Sequence, residues 1–465
     1  MTDLVTKSLT QLAKLIRSRS VSPVEILEAH LDQISRLNPG LNAIVNVAPD
    51  LIDRAQLAEA AVSRGENPGS LHGVPVTIKD TIETQGLVTT SGSVMRADFM
   101  PQHDAPAVAR LKAAGAIILG KTNPAEMAMD YTADNPVFGR TNHPQNPMLT
   151  PGGSSGGEAV AIATCMSPAG LGSDLAGSIR IPAHFCGIAG LKPTTGLIPG
   201  EGQFPTSTGP YSLGAVIGPM ARSVSDLRVL YNVLIDSAQP QPMPILKGLH
   251  LAWYTEDGVA PVTEESASAV STAASALRDA GLITEERRPP HIDRGHEMWL
   301  KLFSRASVVQ LRKAYAGHET EGGSFVSWRL ANADQPKPPS LDEYILNWME
   351  RDRLRDELLR WMETTSILVA PVGATPAYQH DTHKVNVRDS DINVFRAFSY
   401  AQTFNVFDLP VVTVPVGRSS EGLPIGVQIV GRPFEEAVVL SAASLVEEAL
   451  GGWQMPTMSE MSDIL

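Results

Sequence analysis

Cysteine and basic charge are both scarce in this sequence. The chain has two cysteines, Cys165 and Cys186, which are too few for a disulfide framework and are interpreted as small buried hydrophobic residues. Its 37 lysines and arginines are outnumbered by 50 aspartates and glutamates, which leaves a net charge of −13. Because phosphate backbones are bound by basic surfaces, this balance argues against nucleic acid as the main partner.

Long apolar runs are also missing. No uninterrupted apolar stretch reaches the roughly 18 residues of a membrane-spanning helix, and the charged N-terminal stretch lacks the apolar core of a signal peptide. We therefore expect a cytoplasmic protein that does not enter a membrane. A monomer and a homodimer are equally compatible with the sequence.

The sequence does contain apolar strand-like runs that alternate with amphipathic helices, and this alternation predicts an α/β protein. Strands are predicted at residues 71–80, 116–119, 249–254, 366–373, 410–417 and 424–430. Helices are predicted at residues 8–19, 22–37, 51–64, 104–115, 225–235, 262–280 and 434–449. A further helical section, from about 292 to 363, has the composition of an insertion or lid.

Residues 151–194 differ from the rest of the chain because they are rich in glycine and serine. Glycine inside a helix or strand costs roughly 0.5–1 kcal/mol relative to alanine, so the nine glycines of this stretch indicate that backbone shape is its main requirement. Exposed N–H groups beside small hydroxyl side chains suit two tasks. One is to cradle an anion, and the other is nucleophilic catalysis with a backbone oxyanion hole.

Two well-known motifs fit this stretch poorly. Gly152-x-Ser154-x-Gly156 has the spacing of the nucleophile elbow of α/β-hydrolases, but residues 142–151 contain three prolines and cannot form the strand that this motif needs. A phosphate-binding loop would end in Gly-Lys-Ser or Gly-Lys-Thr, whereas Glu158 follows the glycines here and would repel phosphate.

One lysine stands at the end of a predicted buried strand. Lys79 follows the apolar residues 71–78 and precedes Asp80. One interpretation is a surface lysine that pairs with Asp80, since most lysines lie on the surface. The other is a desolvated lysine whose lowered pKa lets it act as a base. His380 and His383 have the spacing of a shared metal site, but no other ligands stand at zinc-site spacing, so we predict no metal.

Several motifs occur in a characteristic order. They are Gly73-Val-Pro75 to Lys79-Asp80, Gly152 to Gly157, Gly172 to Pro182, Phe185 to Gly187, Gly190 to Thr194, Gly218 to Arg222, and Leu409 to Arg432. This ordered set resembles the amidase signature family. The resemblance implies an α/β fold with a large mixed, open, twisted sheet flanked by helices on both faces. It extends over a single domain, 1–465, with a catalytic core at 70–225 and a more variable, largely helical insertion or lid region at about 240–400.

The resemblance also implies roles for individual residues. Ser178 matches the nucleophile, Ser154 the bridging serine that the family holds after a cis peptide bond, and Lys79 the base. The backbone N–H groups that match the oxyanion hole belong to Leu175, Ala176, Gly177 and Ser178, and the matching supporting residues are Ser155, Asp174 and Arg180. Lys79 has to be neutral to accept a proton, so it needs a low-dielectric site. This chemistry requires no metal and no organic cofactor.

The substrate implied by the resemblance is a small molecule with an amide bond, and the same acyl-enzyme chemistry would serve carbamates (urethanes) and esters. Ala176 stands where the family commonly has glycine, and its methyl group is expected to narrow the acyl site. Ser173 stands where threonine is common. We expect an apolar, aryl-tolerant pocket that includes Met127, Met129, Tyr131 and Ile181.

The alternative within the same family is the glutamine-hydrolysing A-type subunit of a tRNA-dependent amidotransferase. Members of that type continue the Ser-Ile-Arg motif with glutamine, whereas this chain has Ile181, and residues 197–210 also depart from them. We therefore favour a stand-alone hydrolase.

Overall fold

The structure is a computed structural model that describes residues 2–66, 69–236 and 241–456. Within these ranges it has thirteen strands: β1 Ile44–Val47, β2 Pro75–Lys79, β3 Ile117–Thr122, β4 Ala169–Asp174, β5 Ala189–Lys192, β6 Val216–Ala221, β7 His250–Trp253, β8 Ile283–Glu286, β9 Ile367–Pro371, β10 Lys384–Val387, β11 Ser390–Asn393, β12 Val411–Arg418 and β13 Pro424–Val430.

The α-helices of the same ranges are α1 Thr2–Thr6, α2 Leu9–Arg17, α3 Pro23–Leu41, α4 Leu51–Ser63, α5 Pro106–Ala113, α6 Gly156–Ala163, α7 Arg180–Cys186, α8 Val224–Leu234, α9 Glu264–Asp279, α10 Gly295–Trp299, α11 Arg305–Ala314, α12 Ser324–Ala331, α13 Leu341–Trp361, α14 Val394–Ala397, α15 Ser399–Val406 and α16 Glu436–Leu450. One π-helical turn, Leu300–Ser304, joins α10 to α11.

Eleven of these strands form one mixed sheet, in the order β1-β3-β2-β4-β6-β5-β12-β13-β9-β7-β8. Strands β3, β2 and β4 run parallel to one another, as do β9, β7 and β8 at the other end, while the central pairs are antiparallel. Strands β10 and β11 form a separate hairpin. The predicted α/β class with a large mixed sheet is therefore confirmed.

Helices cover both faces of the sheet. Along β9, Ile367 and Val369 pack into one hydrophobic core with residues of α8, α9 and α16, whereas Leu368 and Ala370 pack into a second core with residues of α10, α13 and α15. Successive side chains of a strand point to opposite faces, so this alternation shows that each face carries its own helical layer.

The region at about 240–400 contributes to the sheet as well as to the helices. Its strands β7, β8 and β9 form one end of the main sheet, and helices α10 to α13 lie between β8 and β9 along the chain. The edge strand β8, Ile283–Glu286, was not predicted because its sequence ITEE lacks an alternating apolar pattern. Exposed acidic side chains are typical of such an edge, where they discourage pairing with other chains.

Helix α3 and strand β3 both continue beyond their predicted ends. Helix α3 continues through Pro39 to Leu41, beyond the predicted end at residue 37. The helix ends at Asn42, which has a left-handed backbone conformation. The N–H of Asn42 donates to the carbonyl oxygen of Asn38 at 2.7 Å. Strand β3 extends to Thr122, beyond the predicted end at residue 119, because it pairs with both β1 and β2.

Candidate active site

Lys79 lies at the carboxyl end of β2, buried between the parallel strands β3 and β4. Its ammonium nitrogen, Nζ, is 2.7 Å from Oγ of Ser154 and 3.0 Å from Oγ of Ser173. Burial lowers the pKa of Lys79 to about 7, although the carboxylates of Asp174 and Glu158 oppose this shift. Of the two interpretations of Lys79, the structure therefore supports the desolvated lysine.

Asp80 does not pair with Lys79. Its carboxylate accepts hydrogen bonds from the N–H of Thr90 at 3.0 Å and from the Thr90 hydroxyl at 2.5 Å. Successive side chains of an extended segment point to opposite sides, which separates Asp80 from the site that Lys79 faces. Burial raises the pKa of this carboxyl group.

Ser154 reaches Lys79 from the loop that precedes α6. The peptide bond between Gly153 and Ser154 is cis, the configuration expected from the family resemblance. Gly153 is packed so closely that an added Cβ would lie 1.8 Å from the carbonyl oxygen of Thr132, so no side chain fits at this position. Ser154 itself is fully buried.

Ser178, the predicted nucleophile, lies in the turn that follows β4. Its side chain is on the wall of a cavity and the residue is 6% exposed. The backbone ties this turn to the loop of Ser154, because the N–H of Ser155 donates to the carbonyl of Ser178 at 3.2 Å. The hydroxyl of Ser155 donates to the carbonyl of Ser173 at 3.3 Å, so Ser155 joins the two segments in the supporting position that the sequence suggested.

Asp174 and Arg180 form a fully buried ion pair beneath the same turn. Two guanidinium nitrogens of Arg180 donate to the two carboxylate oxygens of Asp174 at 2.8 and 3.0 Å. Burial disfavours the ionised form of Asp174, but Arg180 and the N–H of Ile179 hold the pKa of this carboxyl group well below its usual value. Arg180 also donates to Gln428 at 2.7 Å, which links the turn to β13.

The four N–H groups predicted to form the oxyanion hole differ in their surroundings. That of Gly177 donates to Oδ1 of Asp174 at 2.9 Å and is therefore already paired. Those of Leu175, Ala176 and Ser178 have no acceptor among the described residues, and the three residues lie on the cavity wall. Three N–H groups without a described acceptor therefore belong to residues of the cavity wall that includes Ser178.

The cavity has a volume of about 970 Å³ and lies between the turn 175–178 and the helices of the 240–400 region. Of the four predicted pocket residues, Met129 and Tyr131 line it. Met127 and Ile181 are absent from the described lining, which corrects that prediction. Met127 packs into a separate cluster with Leu311, Tyr315 and Val326, and Ile181 is completely buried in the core.

Several aromatic residues of the cavity wall were missed from the sequence. They are Trp299, Phe325, Trp328 and Phe395. The ring centroids of Phe325 and Phe395 are 5.9 Å apart in a stacked arrangement, and those of Tyr131 and Phe395 are 4.7 Å apart. No motif surrounds these residues, and the only signal was the abundance of tryptophan in the lid section.

The described residues contain no group of three or more His, Cys, Asp or Glu side chains arranged to hold a metal ion. Across the same ranges, no helix combines the length and the apolar character needed to cross a membrane.

Comparison with known proteins agrees with the fold and the motifs. A sequence profile of the Amidase family matches residues 25–440. The chain is 33% identical to indoleacetamide hydrolase of Bradyrhizobium diazoefficiens, over 94% of this chain and 86% of the relative. It is 30% identical to human fatty-acid amide hydrolase 2, with 96% and 89% covered. It is also 30% identical to the A-type subunit of glutamyl-tRNA(Gln) amidotransferase from Sulfurihydrogenibium, with 95% and 96% covered.

Solved structures show the same likeness. An amidase crystal structure superimposes with a TM-score of 0.85 at 27% identity, over 96% of this chain and all of the other. A bacterial aryl acylamidase of the amidase signature family gives a TM-score of 0.83 at 26% identity, with 95% and 96% covered. The fold and these relatives define a hydrolase that acts on carbon–nitrogen bonds. The chain belongs to the amidase signature family.

Proposed function

We propose that this chain is a stand-alone serine amidase in which Ser178 is the nucleophile, Ser154 relays protons and Lys79 is the base. The observation that carries the proposal is the 2.7 Å contact between Nζ of the buried Lys79 and Oγ of Ser154. A lysine whose pKa is lowered to about 7 is partly neutral at neutral pH and can accept a proton from a hydroxyl group.

The reaction has two stages. Lys79 takes the Ser154 proton while Ser154 takes that of Ser178, and the Ser178 oxygen forms a bond to the amide carbonyl carbon. The N–H groups of Leu175, Ala176 and Ser178 stabilise the developing oxyanion, and loss of one such donor costs about 3–4 kcal/mol. The relay then returns a proton to the nitrogen as the C–N bond breaks, and water hydrolyses the acyl-enzyme.

The cavity favours amides with an aryl or apolar acyl group. Its aromatic wall, including Tyr131, Trp299 and Phe395, offers stacking surfaces to a ring and apolar contact to an alkyl chain. The names of the relatives, an indoleacetamide hydrolase, a fatty-acid amide hydrolase and an aryl acylamidase, are consistent with this class. Carbamates and esters with the same acyl group are further candidate substrates, because they pass through the same kind of tetrahedral intermediate. We place this activity in the cytoplasm, on free small molecules.

A second candidate function has support from the similarity to A-type subunits of amidotransferases. In that case the chain would hydrolyse glutamine inside a tRNA-dependent complex. Ile181, where proteins of that type have glutamine, argues against it.

The purified chain alone should be tested on a matched set of a 4-nitroanilide, a primary amide, an ester and a carbamate. We expect amide turnover by the wild type and its loss in Ser178→Ala. Ser167→Ala is the matched control, because this serine belongs to the same glycine-rich stretch and donates to the carbonyl of Ala169 instead. Turnover retained in Ser178→Ala would refute the nucleophile. Glutamine hydrolysis that appears only with added partner proteins would favour the second function.

A further inference from the structure

The carbonyl groups of the turn 175–178 are held by side chains from distant parts of the chain. The indole N–H of Trp299 donates to the carbonyl oxygen of Leu175 at 3.1 Å. The hydroxyl of Tyr131 donates to the carbonyl oxygen of Ala176 at 2.9 Å. The carbonyl of Gly177 accepts from the N–H of Ile181 at 2.7 Å, within the local chain.

Each of these contacts fixes an N–H direction as well as a carbonyl direction. In a trans peptide unit, the C=O of one residue and the N–H of the next lie in one plane and point in opposite directions. When Trp299 holds the carbonyl of Leu175, it therefore sets the direction of the Ala176 N–H, which has no acceptor among the described residues. When Tyr131 holds the carbonyl of Ala176, it sets the direction of the Gly177 N–H, which donates to Asp174.

We infer that Trp299 is a positioning residue for the oxyanion donors, with Tyr131 as its partner on the next peptide unit. Trp299 does not act on the substrate carbonyl itself. It holds the peptide plane whose N–H receives the oxyanion, and this donor is effective only if it is already aligned before charge develops. The inference rests on the proposed function, in which Ser178 forms a tetrahedral intermediate beside this turn.

The surroundings of both rings suit this task. Trp299 ends α10, is 7% exposed and lies with its ring centroid 6.1 Å from that of Phe395. The ring centroid of Tyr131 lies 4.7 Å from that of the same Phe395. The Tyr131 hydroxyl also accepts a hydrogen bond from the side-chain amide of Gln402 at 2.8 Å. Shared packing on Phe395 keeps both donors in place, so the lid region and the catalytic turn form one unit.

The test removes the indole N–H and keeps an aromatic ring. In Trp299→Phe, we expect kcat for a neutral 4-nitroanilide to fall by about 10–100-fold, because small misplacement of catalytic groups costs rates of this order, while KM changes by less than about threefold. Binding of a trifluoromethyl ketone, which forms a tetrahedral adduct with a serine, should weaken by a similar factor. Binding of an unreactive ketone of the same shape should not.

Two further variants separate positioning from packing. Replacement of Trp299 by 3-benzothienylalanine keeps the size of the bicyclic ring and exchanges the N–H for sulfur, so the same fall in kcat is expected in a fully packed protein. Trp361→Phe is the matched control, because Trp361 ends α13 outside the described lining of the cavity and its ring packs against the guanidinium group of Arg287. It should leave kcat within about twofold of the wild type.

The inference is refuted if the benzothienyl variant has wild-type kcat, if the whole loss falls on KM, or if Trp361→Phe loses as much as Trp299→Phe. Ser178→Ala separates this failure from failure of the proposed function. If Ser178→Ala is inactive while the Trp299 variants match the wild type, only the positioning role is wrong. If Ser178→Ala remains active, the proposed function itself is wrong.

Discussion

Nζ of Lys79 lies 2.7 Å from Oγ of Ser154, and both side chains are completely buried. The two residues are 75 positions apart in the chain. They meet because β2 ends at Lys79 beside the parallel strand β4, while the loop that precedes α6 brings Ser154 to the carboxyl end of β2. Burial disfavours the charged form of this amine, and its hydrogen-bond partners among the described residues are hydroxyl groups rather than carboxylates.

The pH dependence of activity follows from this contact. The pKa of Lys79 is lowered to about 7, so the fraction of neutral lysine grows as the pH rises through this value. We expect kcat/KM for a neutral anilide to rise with pH between about 6 and 8 and then to level off. Rate measurements across this range check it.

Lys79→Ala should lower kcat/KM by at least about 100-fold and remove the rise of kcat/KM with pH, which is the rising limb of the pH profile. Lys192→Met is the matched control, because burial also lowers the pKa of Lys192, to about 8, while its ammonium group donates to the carbonyl of Pro193 away from the serines. It should keep the limb. A flat profile in the wild type would contradict the assignment of the base.

Glu158 is expected to influence the pH at which this rise of kcat/KM occurs. Its buried carboxylate accepts hydrogen bonds from the hydroxyls of Thr77 and Thr122, and its charge favours the protonated form of Lys79. Burial raises the pKa of Glu158 to about 7, so this carboxyl group is only partly ionised over the same pH range. In Glu158→Gln its charge is removed while the side-chain shape is kept, so the rise of kcat/KM should move to lower pH, by at most about half a pH unit. The same pH series measures it. A limb that moves to higher pH would show that Glu158 does not act on Lys79 through its charge.

The ion pair of Asp174 and Arg180 should dominate the stability of the catalytic turn. Arg180→Met leaves the buried carboxylate of Asp174 without its partner, and such a loss costs about 3–5 kcal/mol of the free energy of unfolding. Urea denaturation measures it. Arg353→Met is the control, because Arg353 pairs with Glu350 and Glu357 on the surface of α13 and its removal should leave stability nearly unchanged. Equal effects of the two changes would contradict the role of burial.

Local patterns predicted much of the fold. Ser22 and Glu25 form a capping box at the start of the helix predicted from residue 22, and Lys79 stands at the end of a buried strand as its apolar flank predicted. Such features depend on residues that are close in sequence, so they can be recognised without a structure. The sheet architecture was implied by the resemblance of the ordered motifs to the amidase signature family.

Contacts between distant segments could not be predicted. Nothing in the sequence around Trp299 indicates that its indole N–H would meet the carbonyl of Leu175, 124 residues earlier. Met127 and Ile181 failed as pocket residues for a related reason. Apolar side chains near a catalytic motif pack either into a cavity wall or into the core, and their spacing is the same in both cases.

The last prediction concerns the expected narrowing of the acyl site by the methyl group of Ala176. Ala176 is 7% exposed, lies on the cavity wall beside Ser178, and its carbonyl is held by Tyr131. Ala176→Gly removes a methyl group next to the oxyanion donors and keeps every N–H. We expect kcat/KM for anilides with an α-branched acyl group to rise by about 10-fold relative to unbranched ones, since one methyl group in a tight pocket is worth about 1–3 kcal/mol.

The comparison of branched and unbranched anilides should be repeated with Ala128→Gly. Ala128 lines the same cavity with a φ of 55°, a backbone conformation that glycine adopts without strain. This control enlarges the cavity at a residue outside the turn 175–178, so it should leave the ratio of branched to unbranched turnover unchanged. If both variants change the ratio alike, the methyl group of Ala176 has no special place in the selection of the acyl group, because cavity volume alone would then account for the effect.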